Sequence, residues 1–177
     1  LSFSDEDSKK NEMYKQQVKR ETVKKEFSGI KDYLASLELK MTIFENDKSI
    51  IPRMSQMTQK TNQFNLTTKR YTDGDIRNFI DDLDSNVYAF SVADKFGDSG
   101  VTGLCIVSDN SKNESLEIDT LLMSCRIIGR NIESAFMDYV IGKIKEKKIG
   151  ELKAKYIKTL KNYQVKEFYD KFGFKLV

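Results

Sequence analysis

Apolar residues recur at helical spacing over residues 9–36, where Tyr14, Val18, Val23, Phe27, Ile30, Leu34 and Leu37 stand among charges. The pattern predicts one long helix with a narrow apolar stripe. Over 37–44 the period drops to two, with Leu37, Leu39, Met41 and Ile43 alternating against Glu38, Lys40 and Thr42. That predicts a strand. The only proline, Pro52, stands where a helix can begin, with Ser49 as its cap. This helix runs from Ile51 into the polar stretch 58–65. Thr72 caps a short helix over 73–82, with Ile76, Phe79, Ile80 and Leu83 inward. Three strand-like runs follow, at 87–96, 101–107 and 115–123, parted by turns at 97–100 and 109–111. A helix is predicted over 131–147, a strand over 151–158 and a last helix over 164–172, which Gly173 stops.

An antiparallel meander thus feeds a β-α-β-α unit. The expected fold class is α+β: a mixed, mostly antiparallel sheet with helices on both faces. The expected organisation is a linker helix over 1–36 and one domain over 37–177. The chain has 177 residues, 39% of them apolar and 32% charged, which suits an ordinary soluble protein. No apolar run approaches the length of a membrane span, and the acidic start lacks the apolar core of a signal peptide. A cytoplasmic protein that binds neither membrane nor nucleic acid is expected. The chain begins on Leu1 rather than Met, which reads as a fragment of a longer protein or a processed chain.

There is no histidine, which removes Ser-His and Cys-His dyads and any His-ligated metal site. No metal is expected in this fragment. The two cysteines, Cys105 and Cys125, sit in apolar contexts and read by default as buried reduced thiols. Net charge is +3, but residues 143–175 hold eleven lysines against four acids. Such a basic face suits an anionic partner; the plainer alternative is a solvated helix face.

Arg126-Ile-Ile-Gly129-Arg130-Asn131 follows a strand and opens a helix. Free N–H groups at a helix start attract an anion, and Gly129 lets a phosphate approach the backbone. Alone, the pattern equally fits an ordinary left-handed turn. On the preceding strand, period two puts Glu117, Asp119, Leu121, Met123 and Cys125 on one face. The two carboxylates read as a solvated face or as members of structural ion pairs. Cys125 shares that face beside the turn.

The Arg126 turn, followed some thirty residues later by Asn162-Tyr-Gln-Val165 and Phe168-Tyr169-Asp-Lys-Phe-Gly173-Phe174, resembles the motifs of the GNAT acyltransferase fold. That family prefers Gly or Ala where Asn131 stands. The resemblance implies CoA or 4'-phosphopantetheine thioester as acyl donor or carrier arm. It places the pyrophosphate on Arg126, Gly129, Arg130 and Asn131. It implies that Asn162 bonds the pantetheine arm or stabilises the strand splay, that Tyr169 protonates the departing thiolate, and that a general base lies among Glu117 and Asp119. The plainer reading of Phe168, Tyr169 and Phe172 is a set of core aromatics. The resemblance also implies one or two further strands after Phe174.

Three longer strings, Gln59-Lys-Thr-Asn-Gln-Phe-Asn-Leu-Thr67-Thr68-Lys-Arg70-Tyr71-Thr72, Asp94-Lys-Phe-Gly-Asp98 and Glu117-Ile-Asp119-Thr-Leu-Leu-Met-Ser-Cys125-Arg126-Ile-Ile-Gly129-Arg130, resemble the C-terminal part of FkbH-like proteins over 37–174. This implies a HAD-type phosphatase domain upstream, an acyl carrier protein as partner and a place in making polyketide extender units. The Asp-x-Asp motif of such a phosphatase has its nearest match in Asp73-Gly-Asp75, which opens a helix instead of following a strand. The expected function is acyl transfer on a thioester. The alternatives are a non-catalytic carrier-protein docking module and a stand-alone N-acetyltransferase using acetyl-CoA.

Overall fold

In a computed structural model, which describes residues 5–110 and 115–177, the elements run α1 (Asp5–Lys24), α2 (Ile30–Ser36), β1 (Lys40–Glu45), α3 (Ile51–Lys60), α4 (Asp73–Asp81), β2 (Ser85–Asp94), β3 (Gly97–Asn110), β4 (Ser115–Met123), α5 (Ile132–Glu146) and β5 (Glu151–Ala154). The strands make a five-stranded mixed sheet in the order β1-β2-β3-β4-β5, flanked by helices. β3 and β4 are antiparallel, and β4 and β5 are parallel. This is the α+β architecture that the apolar pattern predicts. Two compact units divide the chain: residues up to Thr42 with Ser91–Gly100, and Ile43–Phe90 with Val101–Val177.

In the first unit the long helix expected over 9–36 is broken. α1 ends at Lys24 and α2 starts at Ile30, with Gly29 in extended geometry at its N-cap. Ser28 and Gly29 are poor helix formers, and Gly loses the most entropy when held helical. The expected hairpin turn at 97–100 also moves. The chain turns at Lys95 and Phe96, and 97–100 belong to β3. The Asp94 carboxylate accepts the N–H groups of Phe96 at 3.0 Å and Gly97 at 3.3 Å, which closes the turn early. Asp94 is held in place by Arg20, whose Nε and Nη2 donate to it at 2.6 and 2.7 Å in a buried two-pronged pair. The expected turn at 109–111 runs past the described residues.

In the second unit Ile51, Met54 and Met57 of α3 and Ile76 of α4 pack on Val87, Ala89, Leu104, Ile106 and Leu122 of the sheet. α3 carries Pro52 in its first turn but is capped differently from the expectation. Asp47, not Ser49, is the cap, and it serves a 3-10 turn over Lys48–Ile50 that leads into α3. α3 stops at Lys60, so 61–65 are not helical. α4 starts as predicted. The Thr72 side chain accepts from Asp75 N, and the Asp75 carboxylate accepts from Thr72 N, a reciprocal capping box. Asp73-Gly-Asp75 is therefore spent on a helix start.

Beneath α5, Phe90 and Phe136 pack with their rings tilted by 57° and ring centres 4.5 Å apart. Gly103 makes room for them, because a Cβ there would lie 1.8 Å from Phe90 Cε1. The last predicted helix resolves into two 3-10 turns, Tyr163–Val165 and Tyr169–Phe172. Ring packing sets this geometry: Phe168 lies 5.2 Å from Phe64, and Tyr169 lies 5.1 Å from Phe174. Among the described residues no helix is long and apolar enough to cross a membrane.

Candidate acyl-transfer site

β4 holds the first half of the site. Its register against β3 slips between Ile106–Thr120 and Val107–Ile118, so Asp119 is the extra residue of a β-bulge. A bulge re-aims side chains and breaks strict alternation. The expected common face of Glu117, Asp119, Leu121, Met123 and Cys125 is therefore split. Leu122 packs in the α3/α4 cluster, and so does Tyr71, whose hydroxyl donates to Asp119. Leu121, one residue away, faces the other side with its cross-strand partner Cys105.

The bulged Asp119 carboxylate collects three donors: Tyr71 Oη at 2.6 Å, Lys69 Nζ at 2.6 Å and Thr120 Oγ1 at 2.8 Å. Thr67 Oγ1 donates to the Asp119 carbonyl at 3.0 Å. Burial and the bond to Asp119 raise the Tyr71 phenol well above its ordinary range. A carboxylate so occupied is an anchor for the 67–71 loop before it is a base. Glu117 pairs with Lys155 at 2.8 Å. Lys69 and Tyr71 lie within the strings that carry the resemblance, yet no periodicity pointed to them, because loop residues follow none.

The turn after β4 is built from two left-handed residues. Gly129 has φ 86°, and Asn131 has φ 58° and ψ 14° as the N-cap of α5. The Asn131 side chain makes no capping bond, so the first N–H groups of α5 are left for another acceptor. A Cβ at Gly129 would meet nothing within 4 Å. These features fit a phosphate. Arg126 and Cys125 are exposed beside the turn, so Cys125 is not the buried thiol that its apolar context suggested. Cys105 is buried, and desolvation holds its thiol up. Arg130 is 7% exposed and donates from Nη2 to the Arg126 carbonyl at 3.0 Å, so it braces the turn from within. One further cation comes from a place where sequence gave no sign. Arg53 of α3 donates to Val101 O, and burial together with the nearby Arg126 charge lowers its pKa.

β4 and β5 pair only through Ser115–Ile118 and Glu151–Ala154, and beyond that they part. The residues between α3 and α4 fill the gap. Leu66 N donates to Leu121 O at 3.1 Å and Met123 N donates to Phe64 O at 3.0 Å. On the other side Ile157 N donates to Leu66 O at 2.8 Å, and Asn162 Nδ2 donates to Asn65 O at 2.9 Å. Asn162 is fully buried and spends its whole amide inside the protein. Nδ2 also donates to Ile157 O, while Oδ1 accepts from Thr159 N at 2.8 Å and Tyr156 Oη at 3.3 Å.

Tyr169 is buried, and among the described residues its hydroxyl has no hydrogen-bond partner. Desolvation, with the neighbouring Cys105, raises its pKa well above the ordinary phenol value. The phenol is thus protonated at neutral pH and sits on the Cys105–Leu121 side, while Tyr71 and Asp119 meet on the Leu122 side. Among the described residues no group of His, Cys, Asp and Glu side chains is arranged to hold a metal.

This chain shares its fold with acetyltransferases of the GNAT type. It superposes on a ribosomal-protein-alanine N-acetyltransferase from Brucella melitensis biovar Abortus 2308 with a TM-score of 0.57 and 12% identity, over 79% of this chain and 94% of that one. Against the ribosomal-protein-S18-alanine N-acetyltransferase from Escherichia coli the TM-score is 0.58 at 9% identity, over 78% and 79%. Against a predicted acetyltransferase from Clostridium acetobutylicum, solved with acetyl-CoA, it is 0.53 at 12% identity, over 78% and 92%. No protein-family model and no curated protein matches the sequence.

Proposed function

We propose that this chain is a GNAT-type acyl-transfer domain acting on a thioester of CoA or 4'-phosphopantetheine. The observation that carries the reading is the Tyr169 hydroxyl, a protonated donor buried without a partner among the described residues. Buried polar groups are nearly always paired, so an orphan phenol points to a group absent from the bare fold. A thiolate departing from carbonyl carbon takes up a proton, and in this reading the Tyr169 hydroxyl supplies it. The turn at Gly129 and Asn131 would receive the phosphates, with Arg126 at its exposed edge. CoA or the carrier arm supplies the activated acyl group; the chain's own residues orient it and deliver the proton.

The finer reading is that of an FkbH-like protein, with a HAD-type phosphatase upstream, a linker segment over 1–36, an acyl carrier protein as partner and an acyl or glyceryl unit as cargo. The three strings quoted above support it. Two alternatives each have an observation in their favour. The Asn162 amide is committed to Asn65 and Ile157 rather than open to a ligand, which favours a non-catalytic docking module. The two ribosomal-protein N-acetyltransferase neighbours favour a stand-alone enzyme that uses acetyl-CoA.

The test is a pair of measurements on the purified chain. Calorimetric titration should show CoA binding more tightly than pantetheine, which lacks the nucleotide phosphates, with an affinity that falls as salt rises. Tyr169→Phe should lower acyl transfer by about 10²-fold or more while leaving CoA affinity in place. Equal affinity for CoA and pantetheine sinks the phosphate turn. Undiminished transfer by Tyr169→Phe makes Tyr169 a core aromatic and leaves the docking module as the better reading.

A further inference from the structure

The segment that closes the strand gap also shapes the surface outside it. From β5 onward the chain from Leu152 to Lys166 contains five lysines and no acid. Lys153 and Lys155 are matched by Glu151 and Glu117. Lys158, Lys161 and Lys166 are exposed and have no ion-pair partner among the described residues. Between them stand three large apolar side chains that face water: Ile157 at 46% exposure, Leu160 at 104% and Tyr163 at 68%.

Exposed apolar side chains on a loose loop would mean little. This loop is fastened. Buried Asn162 binds it from below through Thr159 N, Ile157 O and Tyr156 Oη, and ties it to Asn65 across the gap. Thr159 Oγ1 accepts from Lys161 N and Asn162 N, which fixes the tip. The backbone that carries 157, 160 and 163 is thereby fixed, so little backbone entropy is left to lose on binding. Apolar and aromatic anchors within a charged rim are the anatomy of a protein-binding patch.

We infer that residues 157–166 form a docking surface for an acidic partner protein, with Leu160 and Tyr163 as anchors and Lys158, Lys161 and Lys166 as the steering rim. The charge decides the class of partner. The stretch has no arginine, the residue best suited to grip phosphates in nucleic acid. Its three unmatched lysines fall short of the roughly four to eight that mark a membrane-binding basic cluster. An acidic face needs only complementary potential and a small apolar recess. A loop of this size fits a weak, transient encounter rather than a permanent complex. Arg130 takes no part, since it is buried in the turn.

The inference rests on the reading that the substrate arrives on a carrier protein, and the test keeps the two apart. The probe is an acidic acyl carrier protein in its apo form, which lacks the pantetheine arm, and in its holo form, each against the full chain in stopped-flow. Lys158→Glu with Lys161→Glu should slow association of both forms by about tenfold or more at low salt and far less at high salt. Leu160→Ser removes a side chain that is wholly in solvent, so folding is preserved, and it should raise the dissociation rate about tenfold. Neither change should alter CoA affinity. Lys9→Glu with Lys10→Glu, on exposed positions of α1, should leave all rates as they were. Unchanged rates in both loop variants overturn the inference. So does the absence of apo-carrier binding, or loop variants that lose binding to phosphatidylserine vesicles while carrier association stays the same. Apo binding that survives a failure of CoA binding upholds this surface and sinks the thioester reading alone.

Discussion

Arg20 and Asp94 are separated by seventy-four residues and meet in a buried two-pronged ion pair whose side chains are 3% and 0% exposed. Charges at such a place earn nothing by attraction alone, because each has lost its water. Asp94 also receives the N–H groups of Phe96 and Gly97 in the β2–β3 turn. Arg20→Ala should destabilise the protein by about 3–5 kcal/mol, since it strands a buried carboxylate. The double replacement Arg20→Met with Asp94→Leu should recover much of that loss, as read by urea denaturation. Single and double variants that lose the same amount would show that the turn, not the pair, is what matters. Sequence gave no sign of this pair, because neither residue sits in a pattern that announces a partner so far along the chain. Asn162 is the converse case. Its place in the resemblance was legible, yet the two roles implied for an Asn there, ligand contact and strand splay, become distinguishable only when Asn65 is seen to receive its amide.

At the scale of elements, local chemistry was the readable part. Thr72 and Asp75 satisfy each other's backbone N–H groups at the start of α4, a three-residue relation that spacing alone exposes. Thr72→Ala should cost about 1 kcal/mol, measured by thermal melting, and Thr72→Ser should restore most of it. A Thr72→Ala protein as stable as the parent would mean that α4 is held by Ile76 and its neighbours alone. The unreadable part was where long-range contacts overrule local preference. The bulge at Asp119 cannot be seen in an alternating run, because the slip depends on what β3 offers opposite. The final helix became two 3-10 turns because Phe168 has to meet Phe64, a contact across about a hundred residues. The break after α1, by contrast, is written in Ser28-Gly29, which outweigh the continuous apolar stripe.

Across the whole molecule, Tyr71, Tyr88 and Tyr169 resist ionisation because the fold takes them out of water. Desolvation raises Tyr71, Tyr88 and Tyr169 above their ordinary values, Tyr88 to about 12. A phenol whose folded pKa lies above its unfolded value near 10 contributes fully below that pH, and its contribution is lost as pH rises through the folded pKa. Stability should therefore be level near neutrality on their account and fall above about pH 10, with tyrosinate absorbance appearing together with loss of structure. Tyrosinate signal that rises fully before unfolding would show that these rings are accessible. The strap at Phe64–Leu66 bears on the molecule as a whole in another way. It is a central rung whose two neighbours are made late in synthesis: β4 and then the stretch from Tyr156 to Asn162. Until the last of these leaves the ribosome, the carbonyls of Asn65 and Leu66 have only water as donor, so closing the strap from the N-terminal side alone would bury them unpaired. Closure waits on the C-terminal end of the chain, which makes residues 155–177 a clasp. Cut from the rest and supplied as a separate peptide, they are the piece whose return would let the remaining chain complete its fold.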